Sequence, residues 1–296
     1  MEPRNGVLVV DKPAGWTSHD VVNKARRIVG TRKVGHLGTL DPMATGVLPL
    51  LIERATRLAQ FFGRADKVYE GTIEFGYSTD TYDAEGKPTS ERIPVTLDPE
   101  RVYDLLGRFR GRIMQTPPAV SAKKIQGTPA YKLARKNVEV TMQPVEVEIH
   151  RIDLLRCQGA EIDVRVHCGA GTYLRSIAHD LGKALETGAF LKALRRTASG
   201  GFDLGMAHTL EHLVQLSADG CIQQAIIPAA DLLPEFPCEH VDAATASGIR
   251  QGRDFRTSPF RAPSTSKYVK ALSPDGELLA IGEAKLPNVY HPVLVL

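Results

Sequence analysis

The chain has 296 residues, 43% of them hydrophobic and 24% charged, with a formal net charge of +3. That length suits one large domain, or a large one with a small one, and a core that needs no staples. The composition excludes the disordered and fibrous classes, and no stretch approaches the roughly 20 apolar residues of a membrane span.

In chain order, GVLVVDKPAGWTS opens with a short buried-strand pattern, Val7 to Val10, broken by Lys-Pro and a glycine turn. Thr17 or Ser18 can cap the helix HDVVNKARRIVG that follows. Its apolar positions Val21, Val22, Ala25, Ile28 and Val29 recur at helical spacing, and Gly30 ends it. After the loop GHLGTLDPMATG, the segment VLPLLIERATRLAQFF reads as a strand running into a helix. Tyr69, Gly71, Ile73, Phe75 and Tyr77 alternate with Val68, Glu70, Thr72 and Glu74, which is strand periodicity. STDTYDAEG is rich in turn formers.

Residues 98–112 are expected to form a helix, with Asp98 as its cap and Pro99 in its first turn. Residues 119–140 combine prolines, a glycine and scattered bases, and are expected to form a long functional insertion. VEVEIHRIDLL and EIDVRVHCGAGTYLRS carry strand patterns, and SIAHDLGKALE a helix. Composition shifts near residues 234–241, so the expected domains are 1–235 and 236–296. The second is a small β-rich unit with a short helix (AATASGIRQG) and a hairpin turning at Pro-Asp-Gly within YVKALSPDGELLAIGEA.

Charge is uneven along the chain. Residues 24–33 hold five basic side chains and no acid. Residues 101–136 hold nine basic side chains, from Arg101 to Lys136, against Asp104 alone. Such runs suit a polyanionic partner, although a solvated face is the ordinary reading of any one of them. There is no GxGxxG and no GxxxxGK[ST], so no nucleotide cofactor is expected. His208 and His212 are four apart in HTLEH, without the HExxH arrangement or a third ligand nearby, so no metal is expected there. Cys157, Cys168, Cys221 and Cys238 form no CxxC pair. The apolar run at the N-terminus is too short for a secretory signal, and a cytoplasmic protein with reduced thiols is expected.

The loop GHLGTLDPMATGVLPL, from Gly35 to Leu50, holds one carboxylate, Asp41, with no second carboxylate, cysteine or metal-spaced histidine near it in sequence. An Asp before Pro, such as Asp41, ordinarily starts a turn. Three features point further: Gly35, Gly38 and Gly46 permit close approach, His36 can stack on a base or contact phosphate, and two distant segments pair a tyrosine with a base, DKVYEG and GTYLRS. A buried carboxylate needs a cationic partner, and arginine offers planar pairing that lysine does not.

This loop resembles the catalytic loop of the TruB family of tRNA pseudouridine synthases. Other family segments occur in order: DKPAGWTSHDVV, KVYEGTIEFGYSTDTYDAEG, PPAVSAKKIQGTPAYKLARKNVEV, GTYLRSIAHDLG and LKALRRTASGGF. The likeness covers roughly residues 6–205. It departs at Phe190, where the family often carries a histidine, and that touches a local RNA contact. SGIRQGRDF and YVKALSPDGELLAIGEA resemble, more weakly, the PUA-like RNA-binding module of the family.

The resemblance implies an α+β pseudouridine synthase fold, with a central mixed, mainly antiparallel sheet flanked by helices and a small C-terminal β-rich PUA-like domain. It implies isomerisation of the uridine at position 55 in the T loop of tRNA, by base flipping. Asp41 would be the catalytic carboxylate, with Arg175 as its counter-ion keeping its pKa low despite desolvation. Tyr69 would stack on the uracil and is a candidate late base, though a poor one at an ordinary phenol pKa. Tyr173 and Leu194 would line the base pocket, and His36 would fill the space the base vacates. Residues 119–140 would close over the RNA. Whether Asp41 acts as a nucleophile or assists an elimination stays open. No cofactor or metal is implied; the partner is tRNA, the default state a monomer, and a tRNA-folding activity could accompany catalysis. A non-catalytic RNA binder and an N-glycoside hydrolase are the rival readings, the latter weakened because the loop holds no second acid.

Overall fold

The computed structural model describes residues 4–121, 124–125, 128–129, 142–258 and 266–296. The elements run β1 (Gly6–Lys12), α1 (Ser18–Val29), β2 (Val34–His36), β3 (Thr45–Ile52), a 3-10 turn (Glu53–Leu58), α2 (Ala59–Phe62), β4 (Lys67–Phe75), α3 (Pro99–Gly107) and β5 (Gly111–Gln115). They continue with β6 (Lys124–Ile125), β7 (Thr128–Pro129), β8 (Val145–Gln158), β9 (Glu161–Cys168), α4 (Leu174–Ala184), β10 (Ala189–Ser199), β11 (Phe202–Asp203), α5 (Leu210–Ala218) and β12 (Ile226–Pro228). The last stretch holds β13 (Cys238–His240), α6 (Ala243–Arg250), β14 (Phe255–Arg256), β15 (Tyr268–Leu272), β16 (Leu278–Leu286) and β17 (Val289–Val295).

Local chemistry sets several boundaries. Thr17 caps α1: its hydroxyl accepts from Asp20 N while the Asp20 carboxylate accepts from Thr17 N, a capping box. Gly30 closes the same helix in the left-handed region at φ 76°. Residues 98–112 do not form one helix. The helix stops at Gly107, and residues 111–115 are strand β5. Gly111 turns the chain at φ 84°, and the half-buried Ile113 then packs on the core, which a continued helix would prevent. The expected insertion 119–140 lies mostly outside the described residues.

The large sheet runs β12-β1-β3-β10-β4-β9-β8-β5, with β2 on β3 and β11 on β10. Every pair is antiparallel except β3 with β10. The mixed, mainly antiparallel expectation therefore holds. Period-two alternation divides its faces. Leu8, Leu48, Leu50, Ile73, Val164 and Val166 point to one side and pack with Val21, Val102, Ile177 and Leu213 of α1, α3, α4 and α5. Val7, Val9, Val47 and Leu51 point to the other, onto Leu272, Leu278, Ile281 and Leu294 of the C-terminal strands. Those strands form a second sheet, β13-β15-β16-β17-β14. Its outer core holds Ile249, Phe255, Val269 and Tyr290. The smaller sheet thus shares a core with the edge of the larger one.

Candidate active site

The turn that Asp41-Pro42 begins is closed by the main chain: Ala44 N donates to Asp41 O at 3.1 Å. The carboxylate is left for other work. Two buried side chains fix the loop. Ser18 Oγ, near the start of α1, accepts from Leu40 N at 2.8 Å and donates to Leu40 O at 3.1 Å. Lys12 Nζ, at the end of β1, donates to Pro42 O at 3.0 Å, and also to the carbonyls of Pro13 and Trp16. Both contacts lie next to Asp41 in sequence, so its backbone has little freedom.

Arg175 meets Asp41 from α4. Nη2 donates to Asp41 Oδ1 at 3.2 Å, and Nε lies 3.0 Å from Oδ2 without the alignment of a hydrogen bond. The guanidinium also reaches Thr81 O, Val120 O and, at 3.3 Å, Asp83 Oδ2. Its helix start is fixed in turn. Tyr173 N donates to Gln115 Oε1 at 2.8 Å, and Gln115 Nε2 donates back to Tyr173 O at 3.1 Å.

These groups border one cavity of about 310 Å³, lined by residues that include Asp41, Lys67, Tyr69, Tyr173, Arg175, Leu194 and Arg196. That volume is at the lower end for small-molecule sites. The Arg175 side chain is 4% exposed, whereas that of Asp41 is 34% exposed. What Asp41 sees is the interior of a concavity, so its desolvation exceeds what its exposed area suggests. Of the six residues singled out in the sequence, five line this cavity. His36 does not: it stands at the end of β2, half-buried, with Nδ1 buried and unpaired.

Electrostatics corrects one expectation. Burial pushes the Asp41 carboxyl above its ordinary value, and the guanidinium of Arg175 offsets this only in part, with Lys12 helping and Asp83 opposing. The net direction is up, not down. Tyr69 is pushed up by burial too, against the pull of the Arg196 guanidinium, so its phenol keeps its proton. Burial and the charges of Arg196 and His19 lower the pKa of His36 and favour its neutral imidazole.

Three buried charges around the site carry no local signal as strong as that of Asp41. Asp83 sits in the turn-rich stretch, 4% exposed. Lys12 reads in the sequence only as part of the Lys-Pro that breaks a strand. Arg196 is fully buried, and its Nε donates to Val47 O at 2.7 Å and its Nη2 to Gly38 O at 3.2 Å. The tandem arginines of LKALRRT were a visible signal, since a strand seldom carries a charge on its inner side.

The family model described as TruB family pseudouridylate synthase (N terminal domain) matches residues 26–174. The model described as tRNA pseudouridylate synthase B C-terminal domain matches residues 175–233. A tRNA pseudouridine synthase B of Solibacter usitatus is 58% identical over 292 residues, 99% of this chain and 100% of that protein. One of Mycobacteroides abscessus is 45% identical over 283 residues, 94% of this chain and 92% of that protein. Among solved structures, a Cbf5-Nop10-Gar1 complex is similar over 100% of this chain and 85% of the other, with TM-score 0.74 and 27% identity. An H/ACA RNP bound to a substrate RNA containing 2'-deoxyuridine matches with TM-score 0.74 and 25% identity, over 100% of this chain and 86% of the other.

Proposed function

The chain belongs to the TruB family of pseudouridylate synthases, and on that premise we propose that it converts the uridine at position 55 in the T loop of tRNA to pseudouridine, with Asp41 as the catalytic carboxylate. The observation that carries this reading is the Asp41–Arg175 pair opening into a cavity edged by Tyr69, Tyr173 and Leu194. The cavity offers aromatic and aliphatic walls for a flat base and one anionic group at its sugar.

The reaction breaks the bond from C1' to N1, turns the uracil, and forms the bond from C1' to C5. N1 gains a proton and C5 loses one. No electrons and no group are exchanged, so the chemistry asks for no cofactor. Asp41 serves by attacking the sugar or base, or by taking part in a proton transfer from the sugar. Both routes need its ionised form, which Arg175 and Lys12 favour against burial. Tyr69, a neutral phenol, stacks on the base. Arg196 beneath it fills the floor with hydrogen bonds to the loop that carries Asp41.

A stacked uridine has to be extruded to reach this site. The neutral ring of His36, near the loop yet outside the cavity, is suited to hold the vacated space. Arg27, Arg32 and Lys33 are exposed and offer phosphate contacts that read shape rather than sequence. The C-terminal sheet acts as a PUA-like RNA-binding domain, and the protein works as a cytoplasmic monomer. No helix among the described residues is long and apolar enough to cross a membrane.

Tritium release from C5-labelled uridine in a T-arm transcript tests the proposal. Wild type is expected to release it and Asp41→Asn to release none while still binding the transcript. Full release by the variant would end the assignment.

A further inference from the structure

We propose that Asp66, His150 and His167 form a three-ligand site for a borderline divalent cation of the zinc class, on the sheet face opposite the catalytic cavity. The proposal does not depend on the synthase reading. Among the described residues, these are the group of three side chains whose ligand atoms lie within metal-holding reach, all within 4.8 Å of one another.

Strand parity explains the convergence. On β9, Ile162, Val164, Val166 and Cys168 are buried, so His167 points outward with Arg165 and Asp163. Asp66 precedes β4 in the outward phase of Glu70 and Glu74. On β8, Val147 and Ile149 are buried while Glu146, Glu148 and His150 are exposed, so His150 faces the same side by plain alternation. A bulge follows it: opposite Cys168 and His167, the register of β8 slips between Ile149 and Arg151. His150 and Arg151 are both exposed in succession as a result. β8, β9 and the residue that leads into β4 therefore each present one ligand at the same end of the sheet.

Both imidazoles lie against the Asp66 carboxylate, one at each oxygen. His150 Nε2 lies 3.2 Å from Asp66 Oδ1, and His167 Nε2 lies 3.6 Å from Asp66 Oδ2. Tetrahedral ligands about 2.0–2.1 Å from a zinc ion stand roughly 3.4 Å apart. The ring centroids are 4.8 Å apart, at 58°, leaving the imidazoles unstacked and able to converge on one point. Two imidazole nitrogens and one carboxylate oxygen favour zinc, cobalt or nickel over magnesium or calcium. Three protein ligands leave a fourth position open to solvent, where water or an anionic oxygen can enter.

The neighbouring carboxylates on this face are arranged differently. Glu70 pairs with Arg165, Asp163 with Arg156, and Glu74 with Arg92 and Lys192. Asp66 faces two imidazoles instead, each a metal ligand through a ring nitrogen.

The test is equilibrium dialysis of the full chain against Zn2+ with elemental analysis, followed by the absorption spectrum of the Co2+ form. Wild type is expected to retain about one equivalent and to show the intense visible bands of a four-coordinate cobalt site. The double variant H150N/H167N is expected to lose both. H208A/H212A, which removes the other close histidine pair, is expected to keep both. Wild type without bound metal would overturn the proposal, as would an equivalent that survives H150N/H167N or disappears with H208A/H212A. If H150N/H167N fails to fold, as circular dichroism will reveal, Asp66→Asn carries the same expectation of loss.

Discussion

Asp83 holds the far side of Arg175: its Oδ2 lies 3.3 Å from Nη1, while Asp41 takes Nε and Nη2 of the same guanidinium. Asp83 is in turn fixed by Thr81 Oγ1 and Glu85 N, which both donate to its Oδ1. Its charge adds to the upward push on the Asp41 pKa. Asp83→Asn removes that push and one anchor of the arginine. The acid limb of kcat, where Asp41 becomes ionised, is expected to move to lower pH, and the plateau to fall by about tenfold as Arg175 loosens. A pH profile of single-turnover rates checks both, and an acid limb moving upward would contradict the charge argument.

Arg175→Lys separates charge from geometry. Lysine keeps one positive centre but cannot reach Asp41, Asp83, Thr81 O and Val120 O together. The turnover rate is expected to drop on the order of 100-fold, with binding of tRNA changed little, since the group acts on the reacting carboxylate. Measuring kcat and Kd on one T-arm substrate decides it.

Asp41 is expected to cost the fold stability. In the unfolded chain its carboxyl titrates near 3.8, and in the folded chain burial raises that value. Folding is therefore least hindered by this group at pH below 3.8, where both states are protonated. The penalty grows as pH rises from 3.8 to the folded pKa and is complete above it. Asp41→Asn, which carries no charge, should melt above wild type at pH 7, with the gap narrowing on acidification. Thermal melts across that range test the sign, and an inactive variant that melts lower than wild type would refute it.

The fold was legible wherever side chains alternate or cap. The period of two from Val68 to Phe75 marked β4, and Thr17 or Ser18 with Gly30 marked both ends of α1, of which Thr17 is the cap. It was least legible at residues 108–115, where Arg-Phe-Arg continues a helical pattern locally and only pairing with β8 decides for a strand. The site shows the same division. Asp41 and its glycines stand together in one loop, so the sequence displays them. Asp83, Lys12 and Arg196 owe their roles to partners far along the chain, from 30 residues for Lys12 and Pro42 to 158 for Arg196 and Gly38. No local pattern encodes such partners. The slip in register beside His150 is likewise a property of the β8–β9 pairing, not of either strand alone.

Gly46 is the glycine of the Asp41 loop that tolerates least. It adopts φ 101°, and a Cβ there would stand 2.2 Å from Arg196 O. The contact is with backbone at the parallel β3–β10 pair, which cannot yield as a flexible side chain would. Gly46→Ala is expected to cost at least about 3 kcal/mol, from strain and the broken pair together. Urea denaturation measures it. By contrast, Gly15 has φ 79° and nothing near its would-be Cβ, so Gly15→Ala should cost only the backbone strain, about 1 kcal/mol.

Lys12 gives a stability signature in alkali. It is fully buried, and burial lowers its pKa to about 8, with Asp41 and Glu85 opposing. An unfolded lysine keeps its proton to about 10.5. Below pH 8 both states are charged, and the buried ammonium costs stability in full. Between about 8 and 10.5 the folded chain releases its proton first, the unfolded state binds more protons, and stability from this group rises with pH. Lys12→Met removes the group, so the difference in urea midpoint between wild type and variant is expected to move in favour of wild type across that window and to be constant below it. Taking the difference cancels the titration of the remaining lysines and tyrosines. Parallel curves from pH 7 to pH 10 would mean that the ammonium stays charged at its three carbonyls and that the hydrogen bonds to Pro13, Trp16 and Pro42, rather than desolvation, set its proton affinity.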